Sequence, residues 1–344
     1  MIKTAVVILN WNGRAFLEKF LPGVIACTES PETQVMVADN GSEDDSVSWL
    51  SVNHPGIRII QLDRNYGFAG GYNRAIDQVE AEYYILLNSD VAVSEGWSES
   101  LITFMDMHPG AGACQPRIMS YSEPERFEHA GAAGGYLDKY GYPFCRGRVM
   151  NTVEKDTGQY NDSREIFWAS GACMTVRGSA FDQCDGFDDA FFTHMEEIDL
   201  CWRMQNAGFV IHYVPETTVW HVGGGTLTYG SPQKIYYNFR NSLMMLAKNL
   251  PSRKVAGTIF IRQILDGAAA IMLLFTAGWS SFKAVIRAHN DFRKARNSIK
   301  TLRSLSPVCE LYEPPPTMMN KSVIFEYYIM KKRTFTSLKW QKEA

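Results

Sequence analysis

Four times within its first ninety residues the chain runs a short apolar stretch straight into polar or glycine residues. Ala5 to Leu9 leads into Asn10-Trp11-Asn12-Gly13, and Gln34 to Ala38 into Asp39-Asn40-Gly41-Ser42. Ile57 to Leu62 leads into Asp63, and Tyr83 to Leu87 into Asn88-Ser89-Asp90. Such runs read as strands, and the last, with no polar interruption, suits one buried on both faces. Helical patterns lie between them, at Phe16, Leu17, Phe20 and Leu21 before Pro22 and again at Arg74 to Val79. Strand alternating with helix predicts a parallel, doubly wound α/β sheet with right-handed crossovers, whose ligand crevice lies past the carboxyl ends of the strands. The polar endings then share one edge. A carboxylate there, such as Asp90, can hold a divalent metal, and the metal a diphosphate; by residue type alone Asn88 to Asp90 would serve equally as a turn or a helix cap.

The remaining motifs have their own alternatives. Asn65-Tyr66-Gly67-Phe68-Ala69-Gly70-Gly71-Tyr72-Asn73 suits a backbone that turns sharply near a ligand, yet it matches neither a P-loop nor a GxGxxG fingerprint. Gly186 to Arg203 holds Glu196, Glu197 and Asp199 at the start of a helix expected over 195–207, with Gly208 as its stop. Carboxylates there can act as a general base or can simply answer the helix dipole, and Asp199 with Arg203 forms an i,i+4 pair. His221 follows Trp220 and precedes three glycines, a place for a core histidine or for a backbone that wraps a diphosphate. The stretch 117–164 has no clear period, and Asn151 to Ser163 reads as a mobile polar loop.

Asn10-Trp11-Asn12, Asp39 to Ser42, Asn65 to Asn73 and Asn88 to Val91 resemble, in order, the motifs of family 2 glycosyltransferases, most closely the rhamnosyltransferase-like branch. The resemblance continues through Trp168 to Cys173, Gly186 to Gly208 and Trp220 to Gly224, about the first 250 residues. It implies the GT-A fold of nucleotide-diphospho-sugar transferases, a Rossmann-like, mostly parallel sheet, here with a helical C-terminal extension. It further implies donor-nucleotide contacts from Asn10, Asn12, Asp39, Asn65, Gly70, Asn73 and Asn88, with Asp39 on the base and Asn88 at the ribose. Asp90 and His221 would hold Mg²⁺ or Mn²⁺. The family's metal motif often has two acids, and Asn88 replaces the first; one or two carboxylates suffice where phosphates complete the shell. Where the family has Glu-Asp this chain has Glu196-Glu197, which places the base at Glu197 by position and leaves Glu196 as the alternative. Trp168, Asp199 and Arg240 are weaker candidates for sugar or acceptor contact.

The implied activity is inverting transfer of a rhamnose-like or other hexose from a dTDP- or UDP-sugar to a saccharide or lipid-linked glycan in cell-surface polysaccharide assembly. Alternatives are a non-catalytic nucleotide-sugar-binding module or a nucleotidyltransferase acting on a sugar phosphate. The latter should carry a basic glycine loop after its first strand, and Asn10 to Gly13 is not one. A processive synthase would need several membrane spans and a Gln-x-x-Arg-Trp motif, which the sequence lacks.

Charge divides the chain. Residues 1–247 carry a net −14 and residues 248–344 a net +11. We expect a catalytic domain over 1–250 and a basic, partly apolar helical region over 251–344. Gly267 to Phe282 is an uncharged run of 16 residues, short of the roughly 20 that span a bilayer. Flanked by Arg262, Lys283 and Arg287, it suits a segment lying on an anionic membrane surface or, alternatively, a buried core helix. The basic residues follow no recognition motif, so no nucleic acid is expected. Seven scattered cysteines without a CxxC pair and a start without a signal-peptide pattern place the chain in the cytoplasm, peripheral on the inner face of the membrane.

Overall fold

The computed structural model describes residues 2–28, 30–223, 230–304 and 314–340, the side chains of 296–304 excepted. Gly224 and Gly225, two of the three glycines whose backbone can wrap a diphosphate, lie outside the described residues, as do the side chains of Arg296, Lys300 and Arg303, three of the basic residues of the C-terminal region. The first half alternates as the sequence pattern requires: β1 (Ile2–Asn10), α1 (Arg14–Ala26), β2 (Thr33–Asp39), α2 (Ser46–Asn53), β3 (Arg58–Gln61), α3 (Gly67–Ile76), β4 (Ala81–Asn88), β5 (Val91–Val93), α4 (Trp97–Met107) and β6 (Ala111–Ser120). Pro22 lies inside α1 instead of ending it. It is exposed, so the carbonyl it leaves unpaired faces water.

Strands β1 to β4 are parallel in the order β3-β2-β1-β4. Their side chains alternate between two cores. Val6 and Ile8 pack with Leu17 and Leu21 on one face, while Ala5 and Val7 pack with Tyr72 and Ala75 on the other. The sheet continues as β12 (Cys173–Arg177), antiparallel to β4, then β6, β13 (Val210–His221) and β11 (Arg164–Ile166). The apolar stretch Ile166 to Val176, which by residue type reads as one strand, is split between β11 and β12, and the segment between them carries the small residues Ala169, Ser170, Gly171 and Ala172. Strand β13 runs past Pro215 because its register to β6 shifts between Val214 and Thr218, where a proline costs no ladder bond.

Residues 135–153 are not loop. They form β7 (Gly135–Asp138), β8 (Pro143–Cys145), β9 (Arg148–Val149) and β10 (Thr152–Val153), a second sheet joined by β14 (Met318–Met319) from the far end of the chain. Tyr136 and Phe144 meet Phe335 and Trp340 there at ring separations of 5.0–6.2 Å. The polar segment after β10 is pinned by Arg117 to Asp156 at 3.1 Å and by Arg146 to Asp162. Ion pairing with distant arginines gives this segment its order, and local composition does not show such partners.

The helices α5 (Gly178–Gln183), α6 (Glu196–Asn206) and α7 (Pro232–Asn249) follow, then α8 (Ser252–Ala277) and α9 (Trp279–Ser304). Gly278, at φ +84°, breaks the uncharged run 267–282 into the end of α8 and the start of α9. A second glycine fixes the site below. Gly67 has φ +73°, and a Cβ there would overlap the Phe192 carbonyl oxygen. Gly67→Ala should lower unfolding free energy by about 1–3 kcal/mol for backbone strain and a similar amount for the overlap, read from urea melts.

Candidate active site

Register places the polar strand ends side by side. Asn10 lies opposite Asp39, and Asn88 opposite Leu9. The Asn10 amide donates to Asp39 Oδ1 (3.0 Å) and Ser42 Oγ (3.2 Å), and Ser42 N–H donates to Asp39 Oδ2 (3.0 Å). Asn12, at φ +50°, accepts from Glu43 N–H at 2.7 Å. The Asn10 Oδ1 atom is buried with no partner among the described residues. These three residues and Ser42 form one polar corner. Asn65 accepts from Gly67 N–H at 2.7 Å and meets Asn40 at 3.2 Å, shaping the entry to α3.

The second corner forms where β5 pairs with β13. His221 sits opposite Val91, which brings its Nε2 to 3.2 Å from Asp90 Oδ1 and 3.4 Å from Asn88 Nδ2. On its other side Nδ1 stands 3.6 Å from Glu128 Oε1. Burial alone would depress the imidazolium, but Asp90 and Glu128 outweigh it and push its pKa up to about 10. The same contact holds Glu128 below the usual carboxylate range despite its own burial. Sequence reading missed Glu128, for which a Phe-Glu-His triplet in an aperiodic stretch gives no signal.

No group of three or more His, Cys, Asp or Glu among the described residues is arranged as a self-contained metal cage. The donor types nevertheless fit a divalent ion that shares its shell with a ligand. Asp90 supplies one hard carboxylate oxygen, and His221 beside it a ring nitrogen, Nε2, once an ion held at Asp90 displaces the ring proton.

The third corner is the start of α6. Phe192, His194 and Met195 have φ of 64°, 67° and 73°, a left-handed turn that side chains oppose. Neighbours hold it in place. The Asn241 amide on α7 reaches the carbonyls of Phe191 (2.9 Å), Thr193 (2.8 Å) and His194 (2.7 Å). Phe68 N–H, in the first turn of α3, donates to Phe192 O at 2.7 Å.

Three acids follow this turn, and they differ sharply. Asp199 is fully buried and bound to Arg203 (2.8 Å), Lys248 (2.9 Å) and Asn249 (2.7 Å). Burial would raise its pKa, but Lys248 and Arg203 keep it low. Glu196 and Glu197 each bury Oε2 without a partner among the described residues. Burial pushes Glu197 up to about 7; burial and then the Glu197 charge push Glu196 well above the carboxylate range. An acid with a free oxygen and a pKa near neutrality is equipped to take a proton.

Burial lowers the pKa of Lys234, in the first turn of α7, against the raising effect of Glu128, and burial followed by the Lys234 charge lowers His194 to about 4. Several candidates are committed to the protein itself. Asn73 uses both ends of its amide on Phe187 and Asp189, and Gly70 packs under Arg74, so α3 braces the 187–192 segment there. Trp168 is 3% exposed, with its indole N–H on Tyr136 O at 3.0 Å. Arg240 donates to the Ala190 (2.7 Å) and Phe191 (3.1 Å) carbonyls. Asp199, Trp168 and Arg240, the weaker candidates for sugar or acceptor contact, thus each have partners within the protein. The tandem Arg240-Asn241 was visible in the sequence; that the asparagine would hold the turn was not.

A profile of glycosyl transferase family 2 matches residues 5–185. An N-acetylglucosaminyl-diphospho-decaprenol L-rhamnosyltransferase of Mycobacterium tuberculosis is 30% identical over 234 residues, 63% of this chain and 75% of that one. Rhamnosyltransferase WbbL of Escherichia coli is 25% identical over 219 residues, 61% and 80% of the two chains. Among solved structures, S. aureus TarS 1-349 in complex with UDP-GlcNAc aligns over 90% of this chain and 88% of its own at TM-score 0.53 and 14% identity. A mannosyltransferase from Pyrobaculum calidifontis, solved with GDP-Man and Mn²⁺, aligns over 91% and 88% at TM-score 0.51 and 12% identity.

Proposed function

The chain belongs to glycosyl transferase family 2, and from that premise we propose that it moves a rhamnose-like or other hexose, with inversion, from a dTDP- or UDP-sugar to a saccharide or lipid-linked acceptor. It is a glycosyltransferase of the rhamnosyltransferase-like branch with the GT-A fold. Its place is cell-surface polysaccharide assembly, on the cytoplasmic face of the membrane where a lipid-linked acceptor is met. The observation that carries the reading is the pair of unpaired, buried carboxylate oxygens at the strained start of α6, set apart from the neutralised Asp199.

In this mechanism Asn10, Asn12 and Asp39 hold the nucleotide, Asn65 shapes the floor beside them, and Asn88 reaches the ribose. Asp90 and His221 would hold Mg²⁺ or Mn²⁺, which when bound supplies positive charge to the leaving diphosphate. Glu197 takes the proton of the acceptor hydroxyl as that oxygen bonds the anomeric carbon and the bond to the diphosphate breaks. Burial and the Glu197 charge raise Glu196 well above the carboxylate range, which leaves Glu197 as the more readily ionised member of the pair. Asn241 sets the direction of both acids through the turn it holds.

The direct test is a panel of nucleotide-sugars assayed for hydrolysis and for transfer to a polyprenyl-diphosphate saccharide, with Mg²⁺ and with Mn²⁺. Metal-dependent turnover of a dTDP- or UDP-hexose is expected; binding without turnover of any donor would favour the non-catalytic module. In Asn241→Ala we expect kcat to fall by about 100-fold with donor affinity kept, since a displacement of about 1 Å near the chemistry costs that much. Single-turnover assays beside nucleotide titrations check the split.

A further inference from the structure

Past its first turn, helix α8 turns its charges inward. Between residues 255 and 282 the only charged side chains are Arg262 and Asp266, and they are 1% and 0% exposed. Arg262 binds Asp266 (3.2 Å), the Tyr140 carbonyl (2.7 Å) and Ser242 Oγ (2.8 Å). Asp266 also accepts from Tyr142 OH (2.9 Å) and meets His289 Nε2 on α9 at 3.1 Å. The outer face carries Phe260, Ile264, Ile271, Met272 and Phe275, the last 83% exposed. A helix facing water does the reverse.

The turn 138–142 that receives α8 also receives the C-terminal segment. Asp138 accepts from Val323 N–H at 2.9 Å, and Met319 pairs with Asp138 where β14 joins β7. Just beyond, Phe325, Ile329 and Met330 are more than half exposed, followed by exposed Lys331. Two segments some sixty residues apart in sequence are thus anchored on one turn, and each carries exposed apolar side chains.

We propose that the outer face of α8 and the 325–331 segment together form a surface that lies in the interfacial region of an anionic bilayer, with α8 in the membrane plane. At 26 residues α8 is long and apolar enough to cross. Crossing would carry its ion pair, and the α9 and turn 138–142 groups bound to it, into hydrocarbon. Lying flat immerses only the apolar side. Arg253 at one end and Lys283 and Arg287 at the other are exposed, and Trp279 is 57% exposed between them, as suits anionic headgroups. A second copy is the poorer occupant, because a two-fold pairing of this face sets cation against cation at both ends. The surface deepens the proposed function, since it would bring the enzyme to a lipid-linked acceptor.

The test is sedimentation of the full chain with phosphatidylcholine vesicles with and without phosphatidylglycerol, beside donor hydrolysis in vesicle-free buffer. We expect binding to the phosphatidylglycerol vesicles, reduced about tenfold or more by Phe275→Asp and by Ile329→Asp, with hydrolysis unchanged. Both positions are exposed, so the far-ultraviolet dichroism of the variants should match the parent. A full chain that stays in the supernatant with either vesicle, or Phe275→Asp binding like the parent, would overturn the surface. So would a dimer in light scattering that Phe275→Asp dissociates while vesicles bind nothing. Each leaves the hydrolysis result standing, whereas absence of hydrolysis in the parent would count against the enzymatic reading alone.

Discussion

In Asp90→Ala we expect nucleotide-diphosphate binding to lose its dependence on Mg²⁺ or Mn²⁺ and transfer to fall by about a thousandfold, the equivalent of roughly 4 kcal/mol of lost charge stabilisation. The expectation rests on the pairing of β5 with β13. Val222 N–H donates to the Asp90 carbonyl at 3.1 Å, and the side chain, 9% exposed, meets His221 at 3.2 Å. Removing the carboxylate leaves His221 beside Glu128 and takes away the proposed hard-oxygen ligand. Asp90→Asn keeps the shape and loses the charge, so it should bind the ion as poorly while melting close to the parent. Calorimetric titrations of dTDP and UDP with and without each ion decide the matter. Equal affinities across all of those conditions in the parent and in both variants would remove Asp90 from the metal site.

The second large effect is expected in Glu197→Gln. Transfer should drop by about 10²- to 10⁴-fold, the range for losing a positioned base, with donor affinity kept. Stability at pH 8 should rise. The sign follows from burial, which lifts the folded pKa to about 7 from an ordinary 4.5. The unfolded chain ionises first as pH increases, so this group lowers stability from about pH 4.5 upward and levels off beyond about pH 7. Glutamine removes that burden together with the base. Lost activity with a higher melting temperature separates a base from a structural acid, which would lose both. For the parent, log kcat/KM should decline with unit slope below about pH 7, because the working form is the carboxylate. A flat profile from pH 5 to 8, or full transfer by the variant, would return the assignment to Glu196 or to the non-catalytic module.

Asp199 shows where sequence reading stopped. Three acids lie in the first turn of one helix, where each can answer the helix dipole, and only the arrival of Lys248 and Asn249 from α7 commits Asp199 to an internal network. Asn73 is a parallel case. It lies in a glycine-rich motif at a strand end, yet its amide is fully used by Phe187 and Asp189, more than a hundred residues away. Glu128 is the converse, a site residue with no local signature, which acquires its role because the return after β6 places it against His221.

By itself the sequence determined the parallel strands β1 to β4, the polar edge where Asn10, Asp39 and Asn88 line up, and the order of the family's motifs. Those features depend on residues near one another, on alternation in a strand and on the residue types that end one. Tertiary structure alone decided which acids are neutralised, which histidine nitrogen meets which carboxylate, how a sheet forms from residues 135–153 and 318–319, and which side of α8 carries charge. The reason is physical. A polar or charged group is read by the partner that satisfies it, and these partners come from chain paths that no local pattern specifies.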